Sequence, residues 1–213
     1  MSAEEIRKKI ALFGNLVYDR SYSVASEGNI SYRLGENRFL ITPSGVIKKF
    51  LKAKDVLEVD MQGNLRKGKG KPTTEFATHL QIYKDNPSVR AIIHAHPFYT
   101  VLLTVIGINP FEKICLSEAG MFLKKALITP YARPSTKQGA EVVKDLSRRT
   151  NVLVIDRHGS FTYGESLEEA FSLLEILEKY CKAFYYSVVS GRNIHFIDEK
   201  ELDELSDINY TLC

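Results

Sequence analysis

Cysteine is scarce in this chain. Its three residues, Cys115, Cys181 and Cys213, are odd in number and far apart. They show no Cys-x-x-Cys spacing, and the N-terminus carries no signal-peptide pattern, so a disulfide scaffold is not expected and a reducing cytoplasm is. Long hydrophobic runs are also missing: none approaches the roughly 18 residues that a membrane span needs, so a soluble protein without a membrane partner is expected. An excess of one charge is absent too. Lys plus Arg number 29 against 26 Asp plus Glu, a net charge of +3, too small by itself to point to nucleic acid. There is no fixed-period repeat, no low-complexity tract and no Pro/Ser-rich linker, hence no proposed internal boundary. With 213 residues, 44% of them hydrophobic, a single globular domain spanning 1–213 is expected.

The hydrophobic pattern fills that domain with helices and strands. Ile6, Ile10, Phe13 and Val17 recur at three- and four-residue spacing and predict an amphipathic helix over 3–20. Segments 30–33 and 38–42 form a hairpin around Gly35-Glu36-Asn37, closed by the turn Pro43-Ser44-Gly45, and 56–61 is a further strand. Arg66, Lys67, Lys69 and Lys71, interleaved with glycines, form a flexible basic loop: a solvated hairpin tip, or a funnel for an anionic small molecule. Thr73 or Thr74 starts a helix that ends near Asn86-Pro87. The strand 89–94 follows, then a helix over 98–106 opened by Pro97. Helices are predicted over 117–124 and 136–149, strands over 126–130 and 151–155, and a short strand or turn at 162–164. The longest helix runs from Ser166, with Glu169 three residues on, to about Val189. Hairpins early and alternating strands and helices later predict an α/β fold, with a central mixed, mostly antiparallel sheet covered by helices.

The residues with the clearest chemistry end the strand 89–94. In Ile93-His94-Ala95-His96-Pro97 the two histidines share a face, with Cα atoms roughly 6.6 Å apart at about 3.3 Å per residue. Two imidazoles at that spacing can converge on one cation, which needs further ligands from elsewhere. His158 ends a second apolar strand, before Gly159, where α/β proteins place functional side chains. Three neutral imidazoles on one ion with an open position are a catalytic arrangement. His79 competes for the third place, four residues after Glu75 on a predicted helix, although its neighbours Phe76, Leu80 and Tyr83 favour a core contact. Glu75, at the helix start, is either a dipole-favoured end residue or a metal ligand and proton shuttle. The turns Gly28-Asn29, Ser44-Gly45 and Thr73-Thr74 offer amides and hydroxyls suited to a phosphate dianion, though each alone is ordinary turn chemistry.

The order Ser26-Glu27-Gly28-Asn29-Ile30-Ser31, Thr42-Pro43-Ser44-Gly45, Lys71-Pro72-Thr73-Thr74-Glu75, His94-Ala95-His96-Pro97 and Asp156-Arg157-His158-Gly159 resembles the class II (zinc-dependent) aldolase and adducin-head family. Within that family the likeness is greatest to the branch cleaving fuculose 1-phosphate, over about residues 1–200. The resemblance implies a single α/β/α domain in a cyclic homotetramer with active sites at subunit interfaces. It implies one zinc ion per subunit on His94, His96 and His158, with Glu75 as the displaceable fourth ligand and acid/base. It further implies a phosphorylated sugar substrate, its phosphate held by Gly28, Asn29, Ser44, Gly45, Thr73 and Thr74. The family's tyrosine proton donor is replaced around Leu116-Ser117-Glu118, which leaves Glu118 as one candidate and the near-terminal Tyr210 as another.

The activity so implied is reversible cleavage of a phosphorylated ketose to dihydroxyacetone phosphate and a short aldehyde, through a metal-stabilised enediolate. Relatives with the same centre epimerise pentulose phosphates, dehydrate methylthioribulose 1-phosphate or decarboxylate a sugar-acid phosphate. Adducin-type heads share the fold as scaffolds without a metal site.

Overall fold

The structure, a computed structural model, describes residues 1–206, 208 and 212; Tyr210 and Cys213 lie outside the described residues. The N-terminal periodicity becomes helix α1 (Ala3–Asp19), whose Ser2 and Glu5 form a reciprocal capping box that satisfies amides left open at a helix start. The predicted hairpin is β1 (Asn29–Gly35) and β2 (Arg38–Ile41), followed by β3 (Leu57–Val59). Helix α2 (Phe76–Asp85), strand β5 (Ala91–Ala95), helix α3 (Phe98–Val105), helix α4 (Ser117–Leu123), strand β6 (Leu127–Thr129) and strand β7 (Val152–Ile155) stand close to their expected places. The longest helix, α6 (Leu167–Val189), is capped by Ser166, whose side chain accepts from the Glu169 amide.

Four elements differ from the sequence pattern. Half of the expected flexible basic loop is strand β4 (Leu65–Lys67), paired with β3, and Arg66 is held by Asp60 at 2.9 Å. The helix expected over 136–149 shrinks to α5 (Gln138–Val143), because Asp145 takes a left-handed φ of 63° that a continuing helix cannot accommodate. The turn at 162–164 is part of a full strand, β8 (Gly159–Gly164), held between two partners, and helix α7 (Glu199–Ser206) had no counterpart in the pattern.

All eight strands form one sheet in the order β4-β3-β2-β1-β5-β8-β7-β6, antiparallel at every pairing except β6 with β7. The fold is therefore α/β with the mixed, mostly antiparallel sheet that the pattern predicts. Alternation along the central strands sorts side chains between two cores. Ala91, Ile93 and Ala95 of β5 pack with Ile6, Ile10 and Phe13 of α1 and Phe171 and Leu174 of α6. Ile92 faces the other way, towards Phe76, Ile82 and Tyr83 of α2, Val143 of α5 and Phe161 of β8. Each buried aliphatic or aromatic side chain contributes about 1.5–3 kcal/mol, which is why a five-residue strand with no exposed residue holds the centre. At the end of this central strand stand the two histidines.

Candidate metal centre

Antiparallel pairing of β5 with β8 sets His94 opposite Phe161 and Ala95 opposite Ser160, so the start of β8 lies beside the His-x-His segment. The hairpin from β7 to β8 turns at Asp156-Arg157, where Arg157 has a φ of 53°, and carries His158 to the same place. The three imidazoles form a nearly equilateral triangle, with ring centroids 4.9, 5.0 and 5.2 Å apart. One ligand nitrogen from each lies within 4.8 Å of the others. His94 is fully buried and stacks on Phe161 at 4.1 Å.

Hydrogen-bond partners assign the tautomers. His94 Nδ1 donates to the Ser160 carbonyl at 2.9 Å, which leaves Nε2 with its lone pair. That lone pair meets His96 Nε2 at 3.1 Å and Glu75 Oε2 at 3.1 Å. The other Glu75 oxygen lies 3.3 Å from His158 Nε2, and the buried His158 Nδ1 has no hydrogen-bond partner. His96 Nδ1 faces Glu27 Oε2 at 3.5 Å. Electron-rich atoms thus converge without hydrogens enough to separate them, a costly arrangement in a buried place. A divalent cation removes that cost. Nitrogens about 3.3 Å apart are what tetrahedral zinc with bonds near 2.0–2.1 Å requires, so the residues fit the ion.

The electrostatics agree. Burial, then the proximity of His94 and of His158, hold His96 down at about 3. Burial and His94 likewise bring His158 down to about 4. These imidazoles are neutral near pH 7, the ligand form. Burial opposes ionisation of Glu75, yet its contacts with His94, with His158 and with the Asn29 amide together hold its carboxyl well below the usual range.

Glu75 is aimed from the helix start. It occupies the N-cap of α2, one residue before the first helical turn where the pattern put it, and its amide donates to Thr73 Oγ1 at 3.3 Å. Asn29 Nδ2 donates to Glu75 Oε2 at 2.9 Å, and Asn29 Oδ1 accepts from His79 Nε2 at 2.5 Å. His79 Nδ1 accepts in turn from Ser31 Oγ at 2.7 Å, and Ser31 Oγ meets Tyr83 OH at 2.8 Å. His79 is therefore a fully buried, neutral hydrogen-bonding residue, lowered to about 3 by burial first and His94 second. The Asn29 side chain, expected on the phosphate, is engaged by Glu75 and His79.

The remaining expected residues fall into two groups. Ser44 donates its amide to the Lys71 carbonyl at 2.9 Å, and a bridge joins Pro43 to Pro72, which brings Ser44-Gly45 beside Thr73-Thr74. Ser44, Gly45 and Thr74 are exposed, and Thr74 Oγ1 meets Ser135 Oγ at 2.6 Å. Gly28 needs its φ of 71° and has no room for a side chain, since a Cβ would lie 2.7 Å from the His94 carbonyl. Glu118, by contrast, is exposed on α4 and pairs with Lys179 of α6 at 3.4 Å. Sequence reasoning missed Glu27, whose signal was only its place in the Ser26–Ser31 segment. It also missed Gly159, where a Cβ would fall 2.6 Å from His96 Cδ2 and 2.5 Å from the Ala95 carbonyl.

The model of the Class II Aldolase and Adducin N-terminal domain matches residues 8–185, and the chain belongs to that family. It is similar to the L-fuculose phosphate aldolase of Methanococcus vannielii, 38% identical over 79% of this chain and 89% of that protein. It is also 31% identical to the 3-oxo-tetronate 4-phosphate decarboxylase of Haemophilus influenzae, over 91% of this chain and 92% of that protein. Among solved structures, YgbL of Klebsiella pneumoniae, described as a candidate aldolase/epimerase/decarboxylase, superposes with a TM-score of 0.88. That match has 28% identity and covers 96% of this chain and 99% of YgbL.

Proposed function

We propose that the chain is a zinc-dependent aldolase that reversibly cleaves a ketose phosphate resembling fuculose 1-phosphate into dihydroxyacetone phosphate and a short aldehyde. The observation that carries this reading is the convergence of His94, His96 and His158 with an ionised carboxylate on Glu75. When bound, zinc supplies Lewis-acid stabilisation of the negative charge that develops on oxygen beside the breaking C3–C4 bond. Glu75 handles the proton. As a carboxylate it removes the C3 proton of dihydroxyacetone phosphate in condensation and returns it in cleavage. Asn29, fixed by His79, keeps the carboxylate turned towards the triad. Ser44, Gly45, Thr73 and Thr74, with the Gly28 turn, hold the substrate phosphate through amides and hydroxyls. For the proton at the aldehyde oxygen we propose Glu118, or Tyr210 reaching a neighbouring subunit's site in a homotetramer.

A second reading is decarboxylation of a 3-oxo sugar-acid phosphate, supported by the Haemophilus relative, which is matched over more of this chain than the Methanococcus aldolase is. Loss of carbon dioxide leaves charge on the same kind of oxygen, so the same centre serves. Epimerisation of a pentulose phosphate and dehydration of methylthioribulose 1-phosphate are further reactions of that class, and a metal-free scaffold is the non-enzymatic alternative. The test is a panel of ketose 1-phosphates, pentulose 5-phosphates, methylthioribulose 1-phosphate and 3-oxo-tetronate 4-phosphate, with products identified. Dihydroxyacetone phosphate released from a ketose 1-phosphate is the expected result, and carbon dioxide release alone would establish the second reading instead.

A further inference from the structure

Lys48 lies in a single 3₁₀ turn, Lys48–Phe50, three residues after Gly45. It is 2% exposed, which is exceptional for a lysine without a carboxylate partner. Its Nζ donates to the carbonyls of Val46 at 3.0 Å and Ser26 at 3.2 Å. Among the described residues it forms no ion pair. Neighbouring cations do: Lys49 pairs with Asp19 at 2.6 Å and Arg66 with Asp60 at 2.9 Å. The nearest carboxylate in sequence to Ser26, that of Glu27, is directed instead to the Val24 amide and His96. An ammonium has three donors, and the third has no acceptor among the described residues. Burial alone brings this amine down to about 8, so near pH 7 it is still mostly charged. A buried cation held only by carbonyls lacks a counter-charge.

The two carbonyls belong to the segments next to Gly28 and Gly45, two of the turns proposed to hold phosphate. Ser26 stands two residues before Gly28, and Val46 directly follows Gly45, around whose built Cβ nothing lies within 4 Å. We propose that Lys48 is a positioning residue for the substrate phosphate: its ammonium ties the 26–28 turn to the 44–46 turn and supplies the charge against which the dianion settles. The inference rests on the phosphate reading of these turns given above. It explains why an uncompensated cation is retained in a buried place, since the substrate completes the pair. The exposed Ser44 hydroxyl and the Gly45 amide then orient the phosphate, while Lys48 sets its affinity.

The experiment is calorimetric titration of the metal-loaded protein with inorganic phosphate, at several sodium chloride concentrations. Wild type is compared with Lys48→Met and with Lys49→Met as an exposed control. The expected result is saturable binding to wild type, at least about tenfold weaker in Lys48→Met and within about twofold in the control. The salt dependence should also become shallower in Lys48→Met, because one charge is gone. Weaker binding with an unchanged salt dependence would make Lys48 a mechanical tie only and overturn its electrostatic role. Unchanged affinity in a folded variant would overturn Lys48 while leaving the phosphate turns standing. Absence of phosphate binding in wild type would remove both. Should Lys48→Met fail to fold, Lys48→Gln, which keeps a donor for one carbonyl, carries the same comparison.

Discussion

At the residue scale, hydrogen bonds from behind the centre orient two of its side chains. His94 is turned by the Ser160 carbonyl and Glu75 by Asn29, which His79 fixes in turn. Glu75→Gln keeps this shape and loses the base, so kcat should fall by about 10²–10⁴-fold in metal-loaded protein; near-normal turnover would remove Glu75 from the chemistry. Gly159→Ala pushes a methyl against His96 and the Ala95 carbonyl. It should cost about 1–3 kcal/mol in a melting experiment and at least about tenfold in metal affinity, and an unchanged affinity would contradict the packing argument. The candidate metal ligands were legible because a strand's period of two puts His94 and His96 on one face, and because His158 ends another apolar run. Gly159 and Lys48 were not, and Asn29 was marked as a phosphate candidate rather than as the partner of Glu75. Such roles arise from contacts between distant residues, as with Asn29 and Glu75, 46 positions apart.

At the element scale, strands were more legible than helix ends. Propensity carries a helix through Asp145, but tertiary contacts stop it: Asp85 at the end of α2 accepts the Asp145 amide at 3.1 Å and Ser147 Oγ at 2.8 Å, with Gln81 Nε2 at 2.9 Å. Burial resists ionisation of Asp85, while Ser147, Gln81 and the Asp145 amide together hold its carboxyl below 3.8. A carboxyl depressed in the folded state stabilises above its unfolded pKa and loses that contribution as pH falls through the folded value. Asp85→Ala should therefore cost about 2–3 kcal/mol at pH 7, and the gap to wild type should narrow as pH falls through and below the ordinary carboxylate range. Urea melts across that range measure it. A gap independent of pH would show that the loss is packing rather than charge.

At the scale of the whole molecule, one sheet joins the β1–β3 turns to the β5 and β8 ends, so the turns proposed for phosphate and the histidines keep a fixed separation. The order of hairpins before helices gave the class of fold, whereas the position of β4 at the far edge and the presence of α7 depended on pairing and packing that periodicity does not encode. Assembly belongs to this scale too. The proposed tetramer predicts a native mass about four times the 24.1 kDa chain in light scattering; a monomer at working concentration would remove the neighbouring-subunit role proposed for Tyr210. The central claim is that His94, His96, His158 and Glu75 hold one catalytic divalent cation. Chelator-treated protein, titrated with zinc while its folding is followed by circular dichroism, tests this most directly. The account predicts a folded apoprotein that binds one ion per chain, and loss of that site in His94→Ala/His158→Ala. Either no binding by wild type or equal binding by the double variant would contradict it.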